Sequence, residues 1–403
     1  MHIVNIDKVK SGDILGKSLF SGTGELLLAS GFRLDDGALD AIRRAGYRHI
    51  YLMDGDSIEA IPQDVISEAS RLGTISAVRN AFIEAQKALQ EATSKAKSAS
   101  DTGVNIAELK RSVDITALKQ QVSDLIRDII DQNSRVFNYI PVKSNIDYVY
   151  QHATDVALLA LLLAQEFGYS VRDMYAIGIS ALLHDIGKAI FPVLLEKSDA
   201  QMTRDERMMY REHPTYSMLL LKKSSPQAYI EHATILQHHE RVDGSGFPQG
   251  LKSKNIPPIS ANALDRKEKM MIRHAEILAV ADEYDNLMNG HSKQSFFTPE
   301  QALSKMKSEA GRLWNSYVVK ALTRIILLYP IGSIVVIRET SSKRFVGYRG
   351  VVYETNQIDQ TRPIILLKWN SVGAPITPKV IDLAYENVVR LEMVLDVSDS
   401  LDN

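Results

Sequence analysis

The 403-residue chain contains no cysteine, which excludes disulfides and thiolate metal sites and suits a reducing compartment. Long apolar runs are missing too. "VALLALLLA", Val156 to Ala164, is about half of the roughly 20 residues a membrane-spanning helix needs. "IILLYPIGSIVVI" is broken by Pro330. The opening "MHIVNIDKVKSGDI" lacks the charged-then-apolar pattern of a leader. A soluble cytoplasmic protein without membrane contact is the expectation. An excess of either charge is also lacking: 47 Lys and Arg face 49 Asp and Glu, a net charge of -2. No global field attracts a nucleic-acid polymer, although a small anion needs only local positive charge. Neither HExxH nor GxxxxGK[ST] occurs, which argues against a one-zinc peptidase and a phosphate-loop NTPase.

What is present is an ordinary globular balance, 45% apolar and 24% charged, with length for two to three domains. Residues 1–60 read as a small α+β module: "ELLLASG" as strand and turn, "DDGALDAIRRAGY" as a helix ended by Gly46, "RHIYLMD" as a strand. Residues 61–134 are rich in Ala, Lys, Glu and Gln and read as a helical linker or hairpin. A homodimer paired through this stretch is left open, because no sustained heptad marks it. Residues 135–328 read as helical throughout, with Gly168 and Gly187 as helix stops. Residues 329–403 read as a small β module, from "GSIVVIRE", "GYRGVVYET" and "RPIILLKWN".

Seven of the ten histidines lie between His152 and His274. His152 shares an apolar stripe with Val149, Val156 and Leu159. His184 and Asp185 end a strongly apolar helix, and Lys188 follows four residues after His184. His213 precedes Pro214, His238 and His239 close another helix, and Asp282 lies on an apolar helix in "ILAVADEYD". A buried charge is costly unless paired or metal-bound. Five histidines and two aspartates exceed one tetrahedral zinc site. They suit two ions sharing a carboxylate, with iron or manganese foremost and zinc, nickel or cobalt compatible. A metal pair can hold a bridging hydroxide and neutralise a phosphodiester, and Lys188 would add a cation. Asp243, Gly244 and Gly246 permit a tight loop that Pro248 stiffens. Glu240 is a candidate acceptor for a metal-bound imidazole.

"DYVYQHATDVA", "HDIGK", "HP", "HHERVDGSGFP" and "LAVADEYDNL" occur here in that order, over about Asp147 to Leu327. In this the chain resembles the HD-GYP family of HD-domain phosphohydrolases. The resemblance implies a mainly α protein: an all-helical HD-type bundle flanked by the two small modules. It implies a metal-dependent phosphodiesterase that opens cyclic di-GMP to pGpG and on to GMP. One metal would take His152, His184 and Asp282, the other His213, His238 and His239. Asp185 would bridge them and Lys188 would touch phosphate. The chain departs from the family pattern at Phe247, where Gly-Tyr-Pro is expected. Tyr148 stands where some members hold a third metal with glutamate, so two metals are expected. "NGHSKQSFF" replaces an arginine-rich segment, leaving His291 and Lys293 as substrate-binding candidates, and Glu276 stands where arginine is common. A catalytically weak or inactive metal-containing sensor is the alternative. The Gly246-Phe247-Pro248 loop and the terminal modules are candidate surfaces for protein partners.

Overall fold

The computed structural model describes residues 1–21, 25–47, 49–53, 65–93, 112–132, 137, 148–190, 201–259, 270–289, 297–356 and 359–394. The chain divides into two units, one of residues 1–64, 136–148 and 326–403, the other of 65–135 and 149–325.

In the first unit, β1 (His2–Asn5), β5 (His49–Met53) and β2 (Ile14–Leu15) pair antiparallel in that order. β3 (Leu19–Phe20) and β4 (Leu26–Leu28) form a separate pair. α1 (Asp36–Arg44) begins at Asp35, whose carboxylate accepts from Ala38 N, and ends before Gly46 at φ 81°. Leu15, Leu34, Ile42 and Ile50 fill the core beneath.

The second unit is helical. α2 (Glu68–Thr93) and α3 (Thr116–Gln132) arise from the stretch expected to be a linker. They bury apolar faces instead: Ile75, Val78, Phe82 and Ala85 on α2, Leu118, Val122, Leu125 and Ile129 on α3. α4 (Tyr148–Glu166) is the central helix, with every residue from His152 to Ala164 buried, as a helix apolar all round must be. Its Asp155 is paired at 2.6 Å by Arg71 of α2. α5 (Val171–Leu183) starts at the Ser170 cap and is crossed closely by α3, since a Cβ on Gly178 would lie 2.7 Å from Val122. Then come α6 (Arg204–Tyr210), α7 (His213–Ser224), α8 (Tyr229–Gln237), α9 (Arg273–Asn289), α10 (Pro299–Glu309) and α11 (Ser316–Ile325). No described helix is long and apolar enough to cross a membrane.

Two sequence expectations change here. The unit is not helical throughout, because residues 240–259 form a long loop between α8 and α9. Gly187 is no helix stop either. It sits in a 3-10 turn, Ile186–Ile190, where a Cβ would lie 2.3 Å from the His213 carbonyl oxygen and 2.7 Å from Ser217 N. Glycine lets that turn press against the start of α7.

The chain returns to the first unit in a five-stranded antiparallel sheet. Its strands are β6 (Ile334–Thr340), β7 (Arg349–Glu354), β8 (Ile364–Trp369), β9 (Pro375–Asp382) and β10 (Val389–Val394), in the order β10-β6-β7-β8-β9. Val335, Ile337, Val352, Ile365 and Leu367 make its core. Pro375 and Pro378 sit on edge strand β9, where missing N–H donors interrupt no central ladder.

Candidate metal centre

Three histidines reach the same point by one local device. The last carbonyls of a helix have no intrahelical partner. At the end of α5, His184 Nδ1 lies 2.7 Å from Ala181 O. At the end of α6, His213 Nδ1 lies 2.7 Å from Tyr210 O, and at the end of α8, His238 Nδ1 lies 2.6 Å from Ile235 O. Each ring therefore donates Nδ1–H to a carbonyl three residues back, which satisfies the helix end and leaves Nε2 as a bare lone pair. His152, on the second turn of α4, has a carboxylate in that role: its Nδ1 lies 2.7 Å from Asp285 Oδ2 on α9.

The seven expected ligands converge. His152, His184 and Asp282 offer donor atoms within 4.8 Å of one another, and so do Asp185, His213, His238 and His239. Asp185 faces both groups. Its Oδ2 lies 3.6 Å from His152 Nε2 and 3.4 Å from His184 Nε2, while its Oδ1 lies 3.1 Å from His213 Nε2 and 3.9 Å from His238 Nε2. On the other side, Asp282 Oδ1 lies 3.2 Å from His152 Nε2 and 3.7 Å from His184 Nε2.

These donors conflict unless a cation lies among them. Burial, with Lys188 nearby, holds the His213 pKa below its ordinary value, so the ring is neutral and has one proton. With that proton on Nδ1, its Nε2 lone pair points at Asp185 Oδ1 and, 3.3 Å away, at His238 Nε2. Burial and the neighbouring imidazoles push His238 and His239 well below the ordinary value too. His184 Nε2, Asp185 Oδ1 and His239 Nε2 are buried with no hydrogen-bond partner. Bare imidazole nitrogens and carboxylate oxygens are the donor set a divalent transition metal takes, so the residues fit such an ion. Burial alone would favour neutral acids, yet His184 and Lys188 hold Asp185, and His152 and His184 hold Asp282, well below the carboxylate range. His152 shows the opposite balance: burial lowers its pKa, but Asp282 and Asp285 raise it to about 9.

Lys188 is buried with its Nζ 2.5 Å from Asp185 Oδ2 and 4.9 Å from the Tyr210 ring centroid. Burial disfavours its charge, but Asp185 outweighs that and raises the pKa.

The glycine-rich loop holds His239. The Phe247 ring stacks on the His239 ring, with centroids 4.6 Å apart and planes 28° apart, and Phe247 N donates to His239 O. The Phe247-Pro248 peptide is cis. A Cβ on Gly246 would lie 2.4 Å from Glu240 Cα and 2.5 Å from Arg241 N. Asp243 accepts from Ser245 N and Gly244 takes φ 83°, which builds the turn. Glu240 differs from its expected role. Its carboxylate accepts from Gln249 N at 2.7 Å and Leu251 N at 2.8 Å, clasping the loop rather than orienting an imidazole. Glu276 is structural as well: it accepts from Ser253 Oγ and Asn315 Nδ2 and ties the loop to the start of α11. Tyr148 is the first residue of α4, one turn before His152. His291 and Lys293 lie outside the described residues.

Four residues went unread in the sequence. Asp285 orients His152, and Asn289 Nδ2 donates to Asp285 Oδ2 at 2.8 Å. Asn286 Nδ2 donates to Asp282 Oδ1 at 2.8 Å. Their spacing, three and four residues along α9, was the available signal. Tyr210 carried none, because its place beside Lys188 depends on how α6 packs.

Residues 129–261 match the family model described as HD domain. The cyclic di-GMP phosphodiesterase PA4108 of Pseudomonas aeruginosa is 23% identical over 88% of this chain and 81% of its own length. The cyclic di-GMP phosphodiesterase response regulator RpfG of Xanthomonas campestris is 33% identical over 41% of this chain and 40% of its own length. The 3'3'-cGAMP-specific phosphodiesterase 1 of Vibrio cholerae is 28% identical over 49% of this chain and 42% of its own length. The chain thus spans most of the first relative and less than half of the other two. With the HD pair of His184 and Asp185 in place, residues 129–261 carry an HD domain, and the chain as a whole is similar to a cyclic di-GMP phosphodiesterase over most of both lengths.

Proposed function

We propose that this chain is a metal-dependent phosphodiesterase that hydrolyses cyclic di-GMP to pGpG, with GMP as the product of any second cleavage, using two divalent ions, iron or manganese foremost. The observation that carries this reading is Asp185, whose two oxygens face two separate pairs of imidazole Nε2 atoms. Six donor residues around a shared carboxylate suit a pair of ions better than one. His152, His184 and Asp282 would hold one ion, His213, His238 and His239 the other, and Asp185 both. Bound there, the ions supply Lewis acidity toward phosphoryl oxygens and a water made nucleophilic at neutral pH.

The chain's own residues supply the rest. The carbonyls of Ala181, Tyr210 and Ile235 and the Asp285 carboxylate fix four of the five imidazoles, those of His184, His213, His238 and His152, with Nε2 facing inward. Lys188, kept charged by Asp185, is a point cation for a phosphoryl oxygen or the departing hydroxyl. Phe247 covers one face of His239 and shields it from water by packing, a task that needs no hydroxyl. That favours an enzyme over a sensor, although the family motif has tyrosine there.

The test is anaerobic loading with Fe(II) or Mn(II), then incubation with cyclic di-GMP. Linear product is expected from the wild type and not from His184→Ala or Asp185→Ala. Tight binding without product would convert the reading to a sensor. Cleavage of 3'3'-cGAMP in preference to cyclic di-GMP would reassign the substrate.

A further inference from the structure

The short helix α6 ends at Tyr210, and Arg211 caps it. Tyr210 edges the metal cluster: its ring centroid lies 5.1 Å from that of His213, beneath Lys188 Nζ. Arg211 follows on the exposed side. Its guanidinium lies 4.6 Å from the centroid of Phe247, whose other neighbour is the His239 ring at 4.6 Å. A candidate ligand of the cluster, an aromatic ring and a cation thus follow one another from the buried cluster to the exposed Arg211. Among the described residues no carboxylate lies within ion-pair distance of Arg211. A guanidinium over a ring spends no N–H donor on that contact, so its fork of donors remains for an anion.

We propose that Arg211 is a substrate-binding residue that recognises the second, uncleaved phosphodiester of a cyclic dinucleotide. This rests on the phosphodiesterase reading above. A cyclic dinucleotide carries two phosphodiesters in one ring. When one sits among the imidazoles, the other is a ring's width away and needs its own cation, which the exposed Arg211 beside Phe247 would supply. A planar guanidinium binds phosphate oxygens two at a time, and the Phe247 ring holds it near the cluster before the ligand arrives. The chain lacks the arginine-rich segment after Asp285, and Arg211 brings a guanidinium to the same centre from a different helix.

The test compares two substrates in the metal-loaded, full-length protein: cyclic di-GMP, with two phosphodiesters, and bis(p-nitrophenyl) phosphate, with one. In Arg211→Ala the preference for cyclic di-GMP, as the ratio of the two kcat/KM values, is expected to fall at least about tenfold, through KM rather than kcat. Arg211→Lys, which keeps the charge and loses the fork, is expected to fall between. A ratio unchanged in Arg211→Ala, while the wild type cleaves cyclic di-GMP, overturns the role of Arg211 alone. A wild type that cleaves the simple diester but neither binds nor cleaves cyclic dinucleotides overturns the parent reading with it.

Discussion

His184, His213 and His238 show how little sequence a metal ligand requires when a helix ends beside it. Each imidazole takes an orphan carbonyl three residues back, so its tautomer is set by local geometry. His152 has the Asp285 carboxylate in that place. Asp285→Asn keeps the shape but removes the charge that makes the ring a strong donor. It is expected to weaken metal affinity about 10- to 100-fold, measured by competition with a chromogenic chelator, with the fold retained by circular dichroism. A change of less than about twofold would show that Asp285 only fills space. Gly246 works by absence. A Cβ there meets backbone on three sides, at Glu240 Cα, Arg241 N and His239 O, so Gly246→Ala must displace the loop or His239. A loss of roughly 2–4 kcal/mol in urea unfolding is expected. The ligands themselves were legible because histidine and aspartate are rarely buried without partners. The role of Glu240 is not legible in the same way, because one side chain cannot announce whether it faces a ring or the backbone N–H groups of a loop nine and eleven residues on.

At the scale of elements, α9 joins chemistry to packing. One face carries Asp282, Asp285, Asn286 and Asn289, and its start carries His274. His274 is buried against the perpendicular ring of Tyr169, with Asp173 Oδ1 3.7 Å from its Nε2. Burial outweighs Asp173 and lowers its pKa from 6.5 to about 4. Below pH 6.5 the unfolded chain takes a proton that the folded one refuses until about pH 4, so stability falls as pH drops through that window. The contribution is up to roughly 3 kcal/mol. Urea unfolding at pH 7 and pH 4.5 checks it: His274→Gln should lose less stability between the two than the wild type, and equal losses would contradict it. α2 and α3 mark where pattern reading ran short. Their composition is that of a solvated hairpin, yet each buries one stripe. The sequence does not say what a stripe packs on, and Gly178 under Val122 is visible only once both helices are placed.

For the whole molecule, the legible part was the order of characters along the chain: mixed, helical, β-rich. What no local pattern carried was their grouping. The first and last segments share a unit, with Ile3 N donating to Gly332 O and the His2 ring 6.3 Å from Trp369. Such pairings join residues more than 300 positions apart, and periodicity has no reach at that range. Deleting residues 329–403 is therefore expected to expose residues 1–53 to proteolysis, read by limited trypsin digestion and mass spectrometry. Unchanged cleavage there would mean that the N-terminal module holds itself. The central claim is that Asp185 joins two metal positions into one centre. Elemental analysis of the anaerobically loaded, desalted protein tests it most directly. Two ions per chain are expected, with loss of both from Asp185→Ala; one ion, three ions, or full retention in that variant would contradict the account.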